Sequence, residues 1–134
     1  MNQVREIKIS LIGESKIGKT NFLKRLNNDY KLNNNYATTL GVNVVPIDLN
    51  GNQGKIRLNI WDCGGTYTGL ADKYHINSEG SIIFKKTNNN NHKKYEKQLP
   101  NNIKKFYIEN YNVENPNLSI EQYKRMLYDL FVTV

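Results

Sequence analysis

Cysteine is almost absent from this chain of 134 residues, with Cys63 the only one. A single thiol excludes an internal disulfide framework and any zinc site built from four cysteines, and it suits a reducing compartment. Histidine is scarce as well: His75 and His92 have no partners at metal-ligand spacing, so neither reads as a ligand. No apolar run approaches the roughly 18 residues of a membrane span. The opening MNQVREIKIS lacks the apolar stretch of a signal peptide, so a soluble, intracellular protein is expected. Arginine is limited to Arg5, Arg25, Arg57 and Arg125, which matters for reading the charge.

That charge is +7, from 19 Lys and Arg against 12 Asp and Glu. A basic domain can bind nucleic acid. Here, however, the lysines fall in scattered pairs such as Lys85-Lys86, Lys93-Lys94 and Lys104-Lys105. They accompany runs of asparagine (33–35 and 88–91) and many Ile and Tyr residues, a joint excess that reads as coding from an AT-rich genome. A nucleic-acid partner is therefore not expected. The length is that of one domain, large enough to bury a core without disulfides or a structural metal.

From Val4 to Gly13, VREIKISLIG alternates Ile7, Ile9 and Leu11 and closes on glycine, a strand running into a tight turn. Residues 19–27 then set Phe22, Leu23 and Leu26 at helical spacing. Strand, glycine loop and helix open a parallel α/β sheet. Residues 42–49 and 55–62 read as two strands joined by Asn50-Gly51 and Gly54, a hairpin whose Pro46 marks an edge strand. Glycines 64, 65 and 69 lead into a weak helical pattern over 70–75, and 81–84 is a short buried strand. The run TNNNNHKKYEK, 87–97, reads as a solvated loop, and 103–108 as one more strand. The last segment is the clearest helix, with a capping-box spacing at Ser119 and Gln122 and an apolar face of Ile120, Tyr123, Leu127, Leu130 and Phe131.

The chemistry sits in Gly13-Glu14-Ser15-Lys16-Ile17-Gly18-Lys19-Thr20, a full match to G-x-x-x-x-G-K-[ST]. Such a loop turns backbone N–H groups toward phosphate oxygens, and the helix that follows aims its positive dipole end at the anion. Lys19 supplies a point charge to the outer phosphates and Thr20 a hydroxyl to Mg²⁺. A chance match in a lysine-rich chain would not be preceded by a strand and followed by a helix, as this one is. Asp62-Cys63-Gly64-Gly65 adds D-x-x-G at a strand end: Asp62 can hold Mg²⁺ through water, and Gly65 lets a backbone N–H approach the terminal phosphate. Cys63 reads as a small buried residue beside the site rather than a reactive thiol.

GESKIGKT, TTLGVNVVPIDL and KIRLNIWDCGG, in this order and spacing, resemble the Ras superfamily of small GTP-binding proteins. Within it, TLGVNVVPI, LNIWD and TGLADKYHI are most similar to the Ran family, the nuclear-transport branch. The resemblance implies an α/β fold of the P-loop NTPase (small G-protein) type, truncated, with a mostly parallel sheet and one antiparallel edge hairpin. It implies a single domain over 1–134: 4–84 family-like, 85–101 a low-complexity loop, and 102–134 the final strand and helix. It also implies GTP or GDP with Mg²⁺ as the bound group. Thr39 would be the switch threonine meeting Mg²⁺ and the terminal phosphate, with Thr38 as a possible substitute. Tyr30 would lie against the base or stand as a surface tyrosine.

Three departures accompany the resemblance. Thr66 stands where the family has a water-orienting glutamine and is too short for that role, so hydrolysis should be slow. No N-K-x-D occurs, the family's guanine-reading element, and the chain beyond Phe84 is short enough that a middle unit reads as deleted. The loop that would contact the base is Asn110-Tyr111-Asn112, without the family's S-A-K, and Glu109 or Asn112 are the candidates for reading the base in place of the missing carboxylate. Lys16 occupies a position usually small, either facing solvent or adding charge near the phosphates. The expectation is a Ran-like protein that binds guanine nucleotide and hydrolyses GTP slowly, in nucleocytoplasmic transport or small-GTPase signalling. The alternative is a catalytically impaired relative serving as a binding module for transport receptors or GTPase regulators. With no C-terminal cysteine no prenyl anchor is expected, and the resemblance implies a monomer in the cytoplasm, the nucleus or both.

Overall fold

The computed structural model describes residues 4–13, 18–27, 43–62 and 75–134. Five strands form one sheet: β1 (Arg5–Ile12), β2 (Asn43–Gly51), β3 (Gly54–Asp62), β4 (Gly80–Lys85) and β5 (Lys104–Glu109), in the order β2-β3-β1-β4-β5. Three helices accompany them among the described residues: α1 (Lys19–Leu26), α2 (His92–Glu96) and α3 (Ile120–Phe131). All neighbouring strands are parallel except β2 and β3. The expected α/β fold, mostly parallel with one antiparallel edge pair, is therefore the fold observed. No helix among the described residues is long and apolar enough to cross a membrane.

The hairpin closes as the glycines anticipate, with Gly51 opposite Gly54 and Gly54 at φ +97. Pro46 lies on β2, the edge strand, where a missing N–H is tolerated. Tyr128 of α3 locks the hairpin from below: its hydroxyl donates to Gly54 O at 2.6 Å and accepts from Gln53 N at 3.0 Å. A Cβ on Gly51 would stand 2.2 Å from that ring, so only glycine permits the approach.

One face of the sheet carries the main core. Ile7, Ile9, Leu11, Leu58, Ile60 and Ile82 point to it, covered by α1 and α3. Phe22 is its aromatic hub, meeting Phe84, Tyr111 and Tyr123 edge-on at centroid distances of 5.4, 5.7 and 5.1 Å. The capping box holds: Ser119 Oγ accepts from Gln122 N (3.1 Å) while Gln122 Oε1 accepts from Ser119 N (2.8 Å). The buried stripe of α3 differs slightly from expectation, because Tyr128 is buried while Ile120 and Leu130 are only partly so.

The opposite face is thinner, built on Ile12, Ile83 and Leu99 with Tyr95 and Ile103 against them. Here the expected solvated loop over 87–97 is corrected, since it contains α2. Within α2 His92 is buried and Tyr95 packs against Ile12, Ile83 and Leu99, and Ile103 joins the same cluster, which seats the helix on β1 and β4 despite the polar composition. Ser10 is buried on β1, its Oγ bonded to Ser78 Oγ (2.5 Å) and His75 Nδ1 (2.8 Å), which gives His75 a structural place.

Candidate functional site

Parallel strands all point their carboxyl ends one way, and α/β proteins bind ligands at that edge where the chain's course along the sheet reverses. In this sheet the reversal falls at β1, from which the chain runs to the β3 side first and to β4 and β5 afterwards. Gly13 follows β1 directly, and Asp62, the last residue of β3, pairs with Leu11 at the same end. Asp62 is only 5% exposed, a carboxylate held at the strand tip.

Gly18 opens α1 in the left-handed region, φ +105 and ψ 9, and among the described residues no side-chain hydrogen bond caps the helix. Its carbonyl accepts the first helical bond, from Phe22 N at 2.9 Å. The first turn of a helix carries backbone N–H groups without an intrahelical partner, which suits an anion. Lys19 is buried at the first helical position, and its Nζ donates to Gly13 O at 2.6 Å, across the two ends of the glycine loop. Thr20, next on the first turn, is exposed. Gly13, Gly18, Lys19, Thr20 and Asp62 are thus gathered at one edge of the sheet. Glu14, Ser15, Lys16, Ile17, Tyr30, Thr38, Thr39, Cys63, Gly64, Gly65 and Thr66 lie outside the described residues.

Tyr111 and Val113 are the additions that only the structure supplies. A Cβ on Gly18 would meet Tyr111 Cδ2 at 2.8 Å and Val113 Cγ2 at 3.1 Å, so the loop after β5 packs against the start of α1. The Tyr111 hydroxyl donates to Asn21 Oδ1 at 3.0 Å and accepts from Arg25 at 3.4 Å. The resemblance had marked this loop as base-contacting, but no spacing in the sequence links Tyr111 to a helix 90 residues earlier.

The two candidate base readers are engaged elsewhere. Glu109 accepts from Thr87 Oγ1 at 2.8 Å and pairs with Lys85 at 3.5 Å, and these contacts, the Thr87 bond foremost, hold its carboxyl below the usual range. Asn112 Oδ1 accepts from Glu114 N and Asn115 N at 2.9 and 3.2 Å, closing its own turn.

A family model described as Ras of Complex, Roc, domain of DAPkinase matches residues 8–116, from within β1 to the loop beyond β5. The match spans most of the chain and contains the glycine loop, Lys19, Asp62 and the Tyr111 loop, while α3 lies beyond it. This chain belongs to the Roc family of Ras-like GTPase domains.

Proposed function

We propose that the chain binds GTP and GDP with Mg²⁺ at the carboxyl edge of β1 and β3 and hydrolyses GTP slowly. The observation that carries this reading is the uncapped start of α1, with Gly18 in the left-handed region and Lys19 Nζ held beside Gly13. Backbone donors of the loop from Gly13 to Gly18, through Glu14, Ser15, Lys16 and Ile17, surround the phosphates, and Lys19 meets the outer ones. The donor chemistry fits Mg²⁺: a threonine hydroxyl and a carboxylate are hard oxygen ligands, of the kind that hold this ion together with phosphate oxygens. Thr20, Asp62 and Thr39 would hold it, and when bound it neutralises charge on the outer phosphates. By the resemblance, Gly65 would offer its N–H to the terminal phosphate and Tyr30 would lie against the base. Thr66 leaves the attacking water without a side chain long enough to orient it.

The wider reading follows the resemblance: one domain over 1–134 of Ran-like character, and monomeric. It works in the cytoplasm, the nucleus or both, and engages GTPase regulators or nuclear-transport receptors. Thr66 favours a second reading, in which the same fold serves those partners as a binding module without turnover. Chromatography of whatever the purified protein releases on denaturation tests both. Released GDP or GTP supports the first, whereas a nucleotide-free protein that binds neither with Mg²⁺ present overturns it in favour of the second.

A further inference from the structure

We propose that the outer edge of β5 is a docking site for an extended acidic segment of a partner protein, which joins the sheet as a further strand. The proposal is independent of nucleotide binding. β5 ends the sheet, and its pairing with β4 runs unbroken from Gly80 opposite Lys104 to Lys85 opposite Glu109. Asn110 N donates to Lys85 O at 2.8 Å, which sets the phase of the ladder. Since backbone groups alternate sides along a strand, Lys105, Tyr107 and Glu109 turn their N–H and C=O groups away from β4. Among the described residues no hydrogen bond engages those backbone groups. The other edge of the sheet is blunted by Pro46, but β5, KKFYIE, has no proline.

The chemistry beside this edge selects the occupant. On the α2 side lies a shallow hollow of about 290 Å³ lined by Lys93, Glu96, Lys97 and Lys105. Glu96 is already taken, by Lys105 Nζ at 3.0 Å and the Tyr107 hydroxyl at 2.5 Å. Lys93 and Lys97 are exposed and their ammonium groups form no ion pair among the described residues. A carboxylate from an added strand would meet both, and the ring of Tyr107, 45% exposed, would lie along that strand. On the α3 side the rim is Phe106, only partly buried, which suits an apolar residue. The fitting segment therefore alternates acidic and apolar side chains at the two-residue strand period. Nucleic acid could meet the lysines but has no backbone that matches alternating N–H and C=O groups.

The probe is a blocked heptapeptide of alternating glutamate and valine, titrated into the full chain while amide hydrogen exchange is followed. Binding should slow exchange at the amides of Lys105, Tyr107 and Glu109, and a version N-methylated on alternate residues should neither bind nor protect them. Lys93→Glu with Lys97→Glu, both surface changes, should weaken binding about tenfold or more while leaving the circular dichroism spectrum unchanged. The proposal is overturned by any of three results. One is no binding of the acidic peptide; another is binding that leaves the three amides unprotected, as an oligothymidylate held only by the lysines would. The third is protection of those amides in the absence of peptide, with the chain dimeric on size exclusion, which would make a second copy the occupant.

Discussion

The two flanks of β1 are built on different scales. On one side β3 and β2 are nine residues each and meet in a closed hairpin, pinned by Tyr128 and by Arg57 Nε on Asp48 Oδ1 at 2.7 Å. On the other, β4 and β5 are six residues each, and the crossing between them contains only a five-residue helix. The long flank ends in Asp62 beside the glycine loop. The short flank ends in Glu109 and the Tyr111 loop, whose polar groups are spent on holding the loop itself and the start of α1. The difference separates two ends of the sheet: Gly13, Lys19 and Asp62, proposed to face phosphate, gather at the edge of β1 and β3, while the loop after β5 is tied to itself and to α1 by its own hydrogen bonds.

The largest effect that would break this contrast is at Lys19. Lys19→Ala should weaken Mg²⁺-dependent binding of GTP at least about a hundredfold, because a charge-assisted contact contributes roughly 2–3 kcal/mol. Titration with a fluorescent nucleotide measures it, and ATP should suffer equally if the loss is on the phosphate side. In the wild type, GTP should be preferred over ATP by less than about a thousandfold, since a site built to read guanine rejects the wrong base by roughly 10⁴ or more. Unchanged affinity in Lys19→Ala would remove the phosphate-loop assignment. A guanine preference above that limit would instead show that the short flank reads the base after all.

Gly18 joins the flanks, and its replacement comes next. Gly18→Ala forces a side chain to φ +105, costing about 1–3 kcal/mol, and drives a Cβ to 2.8 Å from Tyr111. The denaturant midpoint should fall correspondingly at constant slope. Adding Tyr111→Ala should relieve the steric part and leave the backbone part, so a double-mutant cycle with no coupling would contradict the packing of the Tyr111 loop on α1.

Much of the long flank was legible in the sequence because its signals are local. The alternation of Ile7, Ile9 and Leu11, the glycines of the loop and the hairpin glycines all act within a few residues. Ser119 and Gln122 are legible for the same reason. On the short flank the strands β4 and β5 were legible too, but α2 and the Tyr111 contact resisted because their signals are remote or submerged in polar composition. α2 is seated by His92 and Tyr95 against a cluster that includes Leu99 after the helix, a signal that asparagines and lysines obscure, and Tyr111 reaches Asn21 across the chain. Of the candidate site, Gly13, Gly18, Lys19, Thr20 and Asp62 lie at one edge of the sheet. Glu109 and Asn112, offered as substitutes for base reading, make hydrogen bonds of their own that no sequence pattern displays.

A third test concerns turnover. Thr66→Gln should raise single-turnover hydrolysis by about an order of magnitude, below the usual range for a positioned proton-handling group, with nucleotide affinity unchanged. A flat rate with nucleotide still bound would remove Thr66 as the cause of slow hydrolysis.

The smallest expected effect lies at the clasp that holds α2 on β5, and it is read by pH. The bond from the Tyr107 hydroxyl to Glu96, helped by burial and by the Glu96 charge, pushes Tyr107 up from 10 to about 12. Burial would raise Glu96, but the bonds from Tyr107 and Lys105 outweigh it and hold its carboxyl below the usual range. A raised phenol pKa means that the fold favours the neutral form, so the stability it contributes is complete below about pH 10 and disappears as pH rises through about 12. The lowered carboxyl acts at the other end: its contribution is present above the unfolded value of 4.5 and fades as pH falls below it. Tyr107 is 45% exposed, so solvent screening limits the whole effect to about 1 kcal/mol or less. Tyr107→Phe should therefore lower stability slightly at neutral pH and leave no further loss between about pH 10 and 12 from this pair. Phenolate absorbance gives the direct measurement. Tyr107 and the buried Tyr123 should titrate late, and Tyr107→Phe should remove one late group while the Tyr123 phase persists. An unchanged late phase in Tyr107→Phe would mean that no clasp joins Glu96 to β5, and the short flank would then lose one of the contacts that hold α2 to it.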